Sequence, residues 1–322
     1  MKKKKTEYIS ETKEFKKLEL EEKDNIETID ELVLKEKLKL RRKRIKMVEI
    51  IILTILLIAG ILSYARFIST KGLVIKEHAI KTKDIPKEYD GLKLLQFSDL
   101  HYGSTVFESE LDTLIETIND EHPDIVVFTG DLIEEKVELT NTEIENLINK
   151  LNKIEVTIGL YAIKGNHDYS SDYFDTIFEK TNFKVLKNES DLIYYNSSTP
   201  IRIIGIDDDL KGSPDFEAAF KRNEEEDIPY TILLIHEPDQ IDKIKDNYPE
   251  YNITFAGHSH LGQVRLPIIG ALWTPIGSKK YYDEHYIVNN KDLYINGGIG
   301  TSSLKLRFFN KPSITLYRYY YE

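Results

Sequence analysis

Leu92-Lys93-Leu94-Leu95-Gln96-Phe97-Ser98-Asp99-Leu100-His101 is a mostly apolar run that ends on a carboxylate and an imidazole. Its first six residues read as a buried strand, so the polar residues after it sit at the strand's carboxyl end. The arrangement recurs. Residues 125–128 lead to Gly130-Asp131, residues 160–163 to Gly165-Asn166-His167-Asp168, residues 232–235 to His236-Glu237-Pro238, and residues 253–256 to Gly257-His258-Ser259-His260. Five of the chain's 8 histidines belong to this series. Imidazole, carboxylate and carboxamide groups gathered at strand ends form a donor set for a pair of divalent cations. Each motif alone is weak, since Asp-x-His occurs by chance and Gly-Asp after a strand is usually a turn. Together and in one order, they read as a metal-dependent hydrolase.

Outward from these motifs, strands are expected at 92–97, 125–128, 160–163, 201–206, 232–235 and 253–256. Helices are expected near 109–121, 142–153 and 172–180. The alternation predicts an α/β domain with helices covering sheet faces. Residues 293–296, 304–309 and 314–320 read as β-rich and are expected to supply a second sheet.

Upstream, residues 47–65 form the one strongly apolar stretch. Its length is roughly 28 Å as a helix, enough to cross a bilayer. The dense basic cluster Arg41-Arg42-Lys43-Arg44-Ile45-Lys46 precedes it, and only Arg66, Lys71 and Lys76 follow within a similar distance. The positive-inside rule therefore places residues 1–46 in the cytoplasm and residues 91–322 outside, joined by a connector at 66–90. A cleavable signal peptide ending at Ser63-Tyr64-Ala65 is the competing reading, but more than forty residues ahead of the apolar stretch is unusual for one. The tail, with Phe15, Leu18, Ile26, Ile29, Val33 and Leu40 near helical spacing, reads as charged and partly helical.

Charge is uneven. Of 44 Lys/Arg and 55 Asp/Glu, residues 1–46 hold 16 and 11, leaving 28 basic and 44 acidic residues beyond. So acidic a domain repels polyanions, which argues against nucleic acid as substrate. With Cys 0, any metal site must use nitrogen and oxygen donors.

The order Asp-x-His, Gly-Asp, Gly-Asn-His-Asp, His, Gly-His-x-His resembles the calcineurin-like metallophosphoesterase superfamily over about residues 92–322. Residues 95–101, Gly257-His258-Ser259-His260-Leu261-Gly262-Gln263, and Gly298-Ile299-Gly300-Thr301-Ser302-Ser303 with Arg307 and Pro312 are similar to its membrane-anchored bacterial branch. Members of that branch are often assigned as UDP-2,3-diacylglucosamine hydrolase-like enzymes or broad phosphodiesterases.

The resemblance implies a four-layer α/β/β/α sandwich behind a single transmembrane helix. It implies that Asp99, His101 and His260 bind one divalent ion (Mn, Fe or Zn), that Asn166, His236 and His258 bind a second, and that Asp131 bridges them. A hydroxide shared by the ions then attacks phosphorus, and His167 protonates the leaving group. Glu134 occupies the place where relatives carry an aspartate that orients this histidine. Glu135 and Lys136 replace the Arg-Gly of phosphoprotein phosphatases, which argues against a phosphoprotein substrate. The expected partner is a small phosphoester, a phosphodiester or pyrophosphate of a lipid- or nucleotide-linked substrate; the anchor favours the lipid-linked kind, but proximity alone does not select it. A catalytically silent anchored scaffold is the alternative, and the intact ligand set argues against it. His78 and His122 read as incidental, while His285, with Tyr281, Tyr282 and Tyr286, is a candidate substrate rim.

Overall fold

The computed structural model describes residues 2–222 and 227–322, without the side chains of residues 2–12, 26 and 27; Ile26 of the tail pattern thus lies outside the described side chains. The chain forms two compact units, Met1–Ile61 and Leu62–Glu322. The described residues of the first, 2–61, all belong to α1 (Lys2–Phe67). No proline occurs before Pro86, and Lys, Glu and Leu, all good helix formers, dominate the tail. Among the described residues, this is the one helix long and apolar enough to cross a membrane.

The second unit begins with β1 (Val74–Thr82), β2 (Lys93–Phe97), α2 (Glu108–Asp120), β3 (Ile125–Thr129), α3 (Asn141–Leu151), β4 (Gly159–Ile163), α4 (Tyr173–Phe178) and β5 (Phe183–Val185). It continues with β6 (Glu189–Ile193), β7 (Ile201–Gly205), α5 (Phe216–Phe220), β8 (Tyr230–Leu234), α6 (Ile241–Ile244) and β9 (Ile253–Ala256). The hairpin β10 (Arg265–Leu266) and β11 (Gly270–Ala271) precedes β12 (His285–Val288), β13 (Lys291–Ile295) and β14 (Ser313–Tyr321).

Two six-stranded sheets result, ordered β1-β14-β2-β3-β4-β5 and β12-β13-β9-β8-β7-β6. Leu94, Val127, Ile163, Ile203, Leu234 and Phe255 come from both sheets and share one buried cluster, so the sheets pack face to face. A second cluster joins the first sheet's outer face to α2, α3 and α4, and a third joins the other sheet's outer face to α5 and α6. The four-layer α/β/β/α sandwich is therefore as expected.

The helices follow from local sequence. α2 buries Leu111, Leu114, Ile115 and Ile118, an i, i+3, i+4, i+7 stripe. α3 starts at a Thr140–Glu143 capping box, in which the Thr140 hydroxyl accepts from Glu143 N at 3.3 Å and the Glu143 carboxylate accepts from Thr140 N at 2.8 Å.

Three expectations need correcting. The connector holds a nine-residue strand, β1, which pairs in parallel with β14. That β14 joins the first sheet, between β1 and β2, so only β12 and β13 of the C-terminal part enter the second. Residues 304–309 form no strand beyond a single bridge from Val264 to Phe308. Their central Arg307 turns inward and donates to the carbonyls of Gly297, Gly298 and Gly300, which prevents the alternation a strand requires.

Candidate metal centre

Strands β2, β3 and β4 run parallel in one sheet, and β8 and β9 run parallel in the other. Every motif residue follows the carboxyl end of one of these five strands, where α/β folds place their ligands. The loops turn sharply there. Asp99, His101, Asp131, His258 and His260 have φ of 47°, 41°, 64°, 62° and 46°, the left-handed region that side chains other than glycine rarely adopt. Such strain persists only where surrounding structure enforces it, and it clusters at functional sites.

The glycines explain the packing. A Cβ on Gly130, itself at φ +93°, would lie 2.6 Å from both Gly165 N and His236 Nδ1. One on Gly165 would lie 2.4 Å from Asp131 Oδ1. Only glycine lets these loops close on each other.

Asp99, His101 and His260 offer ligand atoms within 4.8 Å of one another, and so do Asp131, His236 and His258. His101, Asp131 and His167 form a further such group. The two imidazole pairs face each other closely, His101 Nε2 to His260 Nε2 at 3.1 Å and His236 Nε2 to His258 Nδ1 at 3.2 Å. Hydrogen bonds fix the rings. His236 Nδ1 donates to Thr129 O at 2.7 Å, so its Nε2 lone pair faces the cluster. His258 Nε2 donates to Ile276 O at 2.7 Å, which turns its Nδ1 lone pair inward. Asn166, directly after Gly165 on the loop that follows β4, has a buried Oδ1 with no hydrogen-bond partner.

The electrostatics suit a cation. Burial pushes the His258 imidazole down to about 3, reinforced by His236. Burial, then His101 and Arg307, holds His260 well below its usual value. Both rings are thus neutral, with lone pairs free to ligate. Burial opposes ionisation of Asp131, but His236, His167 and His101 overcome it and keep the carboxyl well below the usual range. Against burial, Asp131 holds His236 well above its usual value and Glu134 with Asp131 raises His101, so these two rings shed a proton on taking up metal. With that exchange the residues present fit divalent cations, which need deprotonated nitrogen and oxygen donors.

Glu134 departs from expectation. Its Oε2 lies 2.9 Å from His101 Nδ1, off the line of an ideal hydrogen bond, so its imidazole partner is His101 and not His167. His167 is oriented instead by the backbone N–H of Glu135, which donates to its Nδ1 at 3.3 Å. The His167 backbone N–H in turn donates to Asp131 Oδ1 at 2.8 Å.

Asp168 went unassigned in the sequence although it belongs to the quoted motif. Fully buried, it accepts from Asp131 N, Leu132 N and Gly165 N at 2.8–2.9 Å and so ties the loop after β3 to the loop after β4. Burial and the Asp131 charge push its carboxyl up to about 7. Beneath the site, Gln96 donates to Thr129 Oγ1 and to Ala256 O and accepts from Tyr317, linking the two sheets. Two of the remaining histidines pair with carboxylates. His78 pairs with Glu284 at 2.9 Å, and His285 pairs with Asp292 at 2.6 Å and stacks on Tyr294. Of the residues read as a candidate substrate rim, Tyr281 is buried and the Tyr286 hydroxyl accepts from Tyr282 N and Asp283 N, so these two rings brace the loop that carries His285.

Comparison with known proteins agrees with this geometry. The calcineurin-like phosphoesterase family profile matches residues 92–262. The uncharacterized metallophosphoesterase YkuE of Bacillus subtilis (strain 168) is 36% identical over 257 residues, covering 79% of this chain and 88% of the relative. A transmembrane protein with a metallophosphoesterase domain from Danio rerio is 28% identical, over 73% of this chain and 55% of its own. The UDP-2,3-diacylglucosamine pyrophosphatase LpxG of Chlamydia muridarum is 26% identical, over 74% and 87% respectively. With strand-end loops, buried donors and relatives in agreement, this chain belongs to the calcineurin-like phosphoesterase family and is a metal-binding phosphate ester hydrolase.

Proposed function

We propose that the protein binds two divalent cations and hydrolyses a phosphodiester or pyrophosphate of a lipid- or nucleotide-linked substrate, held at the membrane by its N-terminal helix. Asp131 carries this reading. Its Oδ2 lies 3.5 Å from His101 Nε2 and 3.3 Å from His236 Nε2, between the two groups of donors. On this reading Asp99, His101 and His260 hold one cation, Asn166, His236 and His258 hold the other, and Asp131 is shared. The orphaned Asn166 oxygen then gains a partner. Mn²⁺, Fe and Zn²⁺ all accept such a donor set.

When bound, such a cation pair supplies Lewis acidity that activates water and offsets charge growing on the phosphate oxygens. The chain's own groups do the rest. Because Glu135 N donates to His167 Nδ1, Nε2 is the ring nitrogen left free to exchange a proton with the departing oxygen. Asp168 and the left-handed loops hold the donors in place before substrate arrives, so little reorganisation is left for the reaction itself.

The substrate class rests on two supports. One is the apolar helix, long enough to cross a membrane, whose preceding basic residues 41–46 support a cytoplasmic tail and an outer catalytic unit under the positive-inside rule. The other is the LpxG relative, whose described substrate is a lipid-linked pyrophosphate. The test is hydrolysis of bis(p-nitrophenyl) phosphate by the purified chain with Mn²⁺. Activity that disappears with chelator and returns with metal is expected; chelator-insensitive hydrolysis contradicts the reading.

A further inference from the structure

A group of large apolar side chains stands out from the catalytic unit beside the metal centre. At the tip of the β10–β11 hairpin Ile268 is fully exposed and Ile269 is 70% exposed. Trp273, just beyond the hairpin, is 64% exposed, and Leu304 and Phe309 on the neighbouring loop are 62% and 64% exposed. Ile268 also has φ 71°, a costly conformation for a β-branched residue, so the tip is held outward against its backbone preference. Large exposed apolar side chains gathered on two joined loops of a folded domain mark a candidate interaction site.

The partner is indicated by where this surface is attached. The two loops are joined, since Arg265 N donates to Phe308 O at 2.9 Å. The Phe308 loop is in turn fixed to the last turn of α1. Arg307 N donates to Ala65 O at 3.0 Å, and the Tyr64 and Phe308 rings meet edge to face at 6.3 Å. Ala65 ends the apolar stretch, so on the membrane reading these loops lie where the chain leaves the bilayer. Charge agrees. Residues 257–282 carry Arg265, Lys279 and Lys280 without a single Asp or Glu, and residues 293–321 carry Lys305, Arg307, Lys311 and Arg318, again without an acid. Arg265, Lys280 and Arg318 pair with Asp283, Asp242 and Glu77 and Arg307 is buried, which leaves Lys279, Lys305 and Lys311 as the bases beside these apolar side chains, in a region with 44 acidic and 28 basic residues. Tryptophan and basic residues around an apolar tip are the composition of a membrane-interface contact.

We propose that the β10–β11 hairpin, with Trp273 and the 304–309 loop, docks into the surface of the same membrane that α1 enters. This rests on the membrane-anchored reading and deepens it. The hairpin is coupled to the centre through Ile276, whose carbonyl accepts from His258, so docking presents the site to phosphate esters of amphiphiles lodged at that surface.

The protein contains its own reporter, because Trp273 is the single tryptophan. The full chain is reconstituted into phosphatidylcholine–phosphatidylglycerol vesicles with or without bromine on the acyl chains, and tryptophan emission is read along with co-flotation. The proposal expects blue-shifted emission, loss of most of the intensity in brominated vesicles, and weak quenching by iodide. Ile268→Asp combined with Ile269→Asp should restore the intensity in brominated vesicles while the chain still co-floats. Co-flotation with bromine-insensitive emission overturns the docking but leaves the anchor standing; if iodide also fails to quench, the surface is covered by protein instead. Failure to co-float overturns the anchor and the docking together.

Discussion

Asp131 is the residue on which the two donor groups meet, and its replacement separates binding from chemistry. Asp131→Ala is expected to lower both metal content and turnover, whereas His167→Gln should keep the metal and lower kcat about 10²- to 10⁴-fold, the usual contribution of a general acid; elemental analysis beside steady-state kinetics distinguishes them. Asp168→Ala strands three buried N–H groups, those of Asp131, Leu132 and Gly165. At 1–3 kcal/mol for each unsatisfied group, a loss of about 3 kcal/mol or more is expected in denaturant titrations. The candidate ligands were legible because each sits in a short motif directly after an apolar run. Asp168 was not, since two of its three partners are backbone groups 36 and 37 positions away. Nor was the true partner of Glu134, because the turn after β3 decides which imidazole the longer side chain reaches.

Among the elements, the early βα units could be read because each helix and strand carries its own periodicity. β1 could not. Its sequence Val74-Ile75-Lys76-Glu77-His78-Ala79-Ile80-Lys81-Thr82 is half polar, and it is made a strand by pairing with β14, from Val74↔Ser313 to Thr82↔Tyr321. Tertiary context overrides local preference there. The same strand supplies a pH-sensitive clamp. His78 and then Lys76, both in contact with Glu284 in the turn before β12, lower its carboxyl to about 2 against the effect of burial. A depressed carboxylate stabilises the fold above its unfolded-state value near 4.5, and that contribution fades as pH falls from there toward 2. Because the pair is about one-third exposed, solvent screening limits the gain to about 1 kcal/mol. Glu284→Gln should therefore lower the unfolding free energy by about that amount at pH 7 and by little at pH 2.5, measured by urea titration at each pH.

For the whole molecule, the four-layer sandwich was legible from the alternation of elements together with the family resemblance, while the placement of the C-terminal strands was not. β14 reaches the first sheet by crossing the entire domain, a long-range pairing that no local pattern encodes. The orientation of α1 is testable with little engineering, because the chain has no cysteine. Lys37→Cys is expected to resist a membrane-impermeant maleimide in intact cells, and Lys83→Cys to react; the reverse pattern contradicts the assigned topology.

The most direct test of the account is the metal stoichiometry of the purified full chain, read by elemental analysis after saturation with Mn²⁺ and removal of free ion. The account predicts two ions per chain, released together with phosphodiesterase activity when Asp131 is replaced by Ala. A chain that retains no more than one ion at saturation, or hydrolyses its substrates at full rate without any, contradicts it.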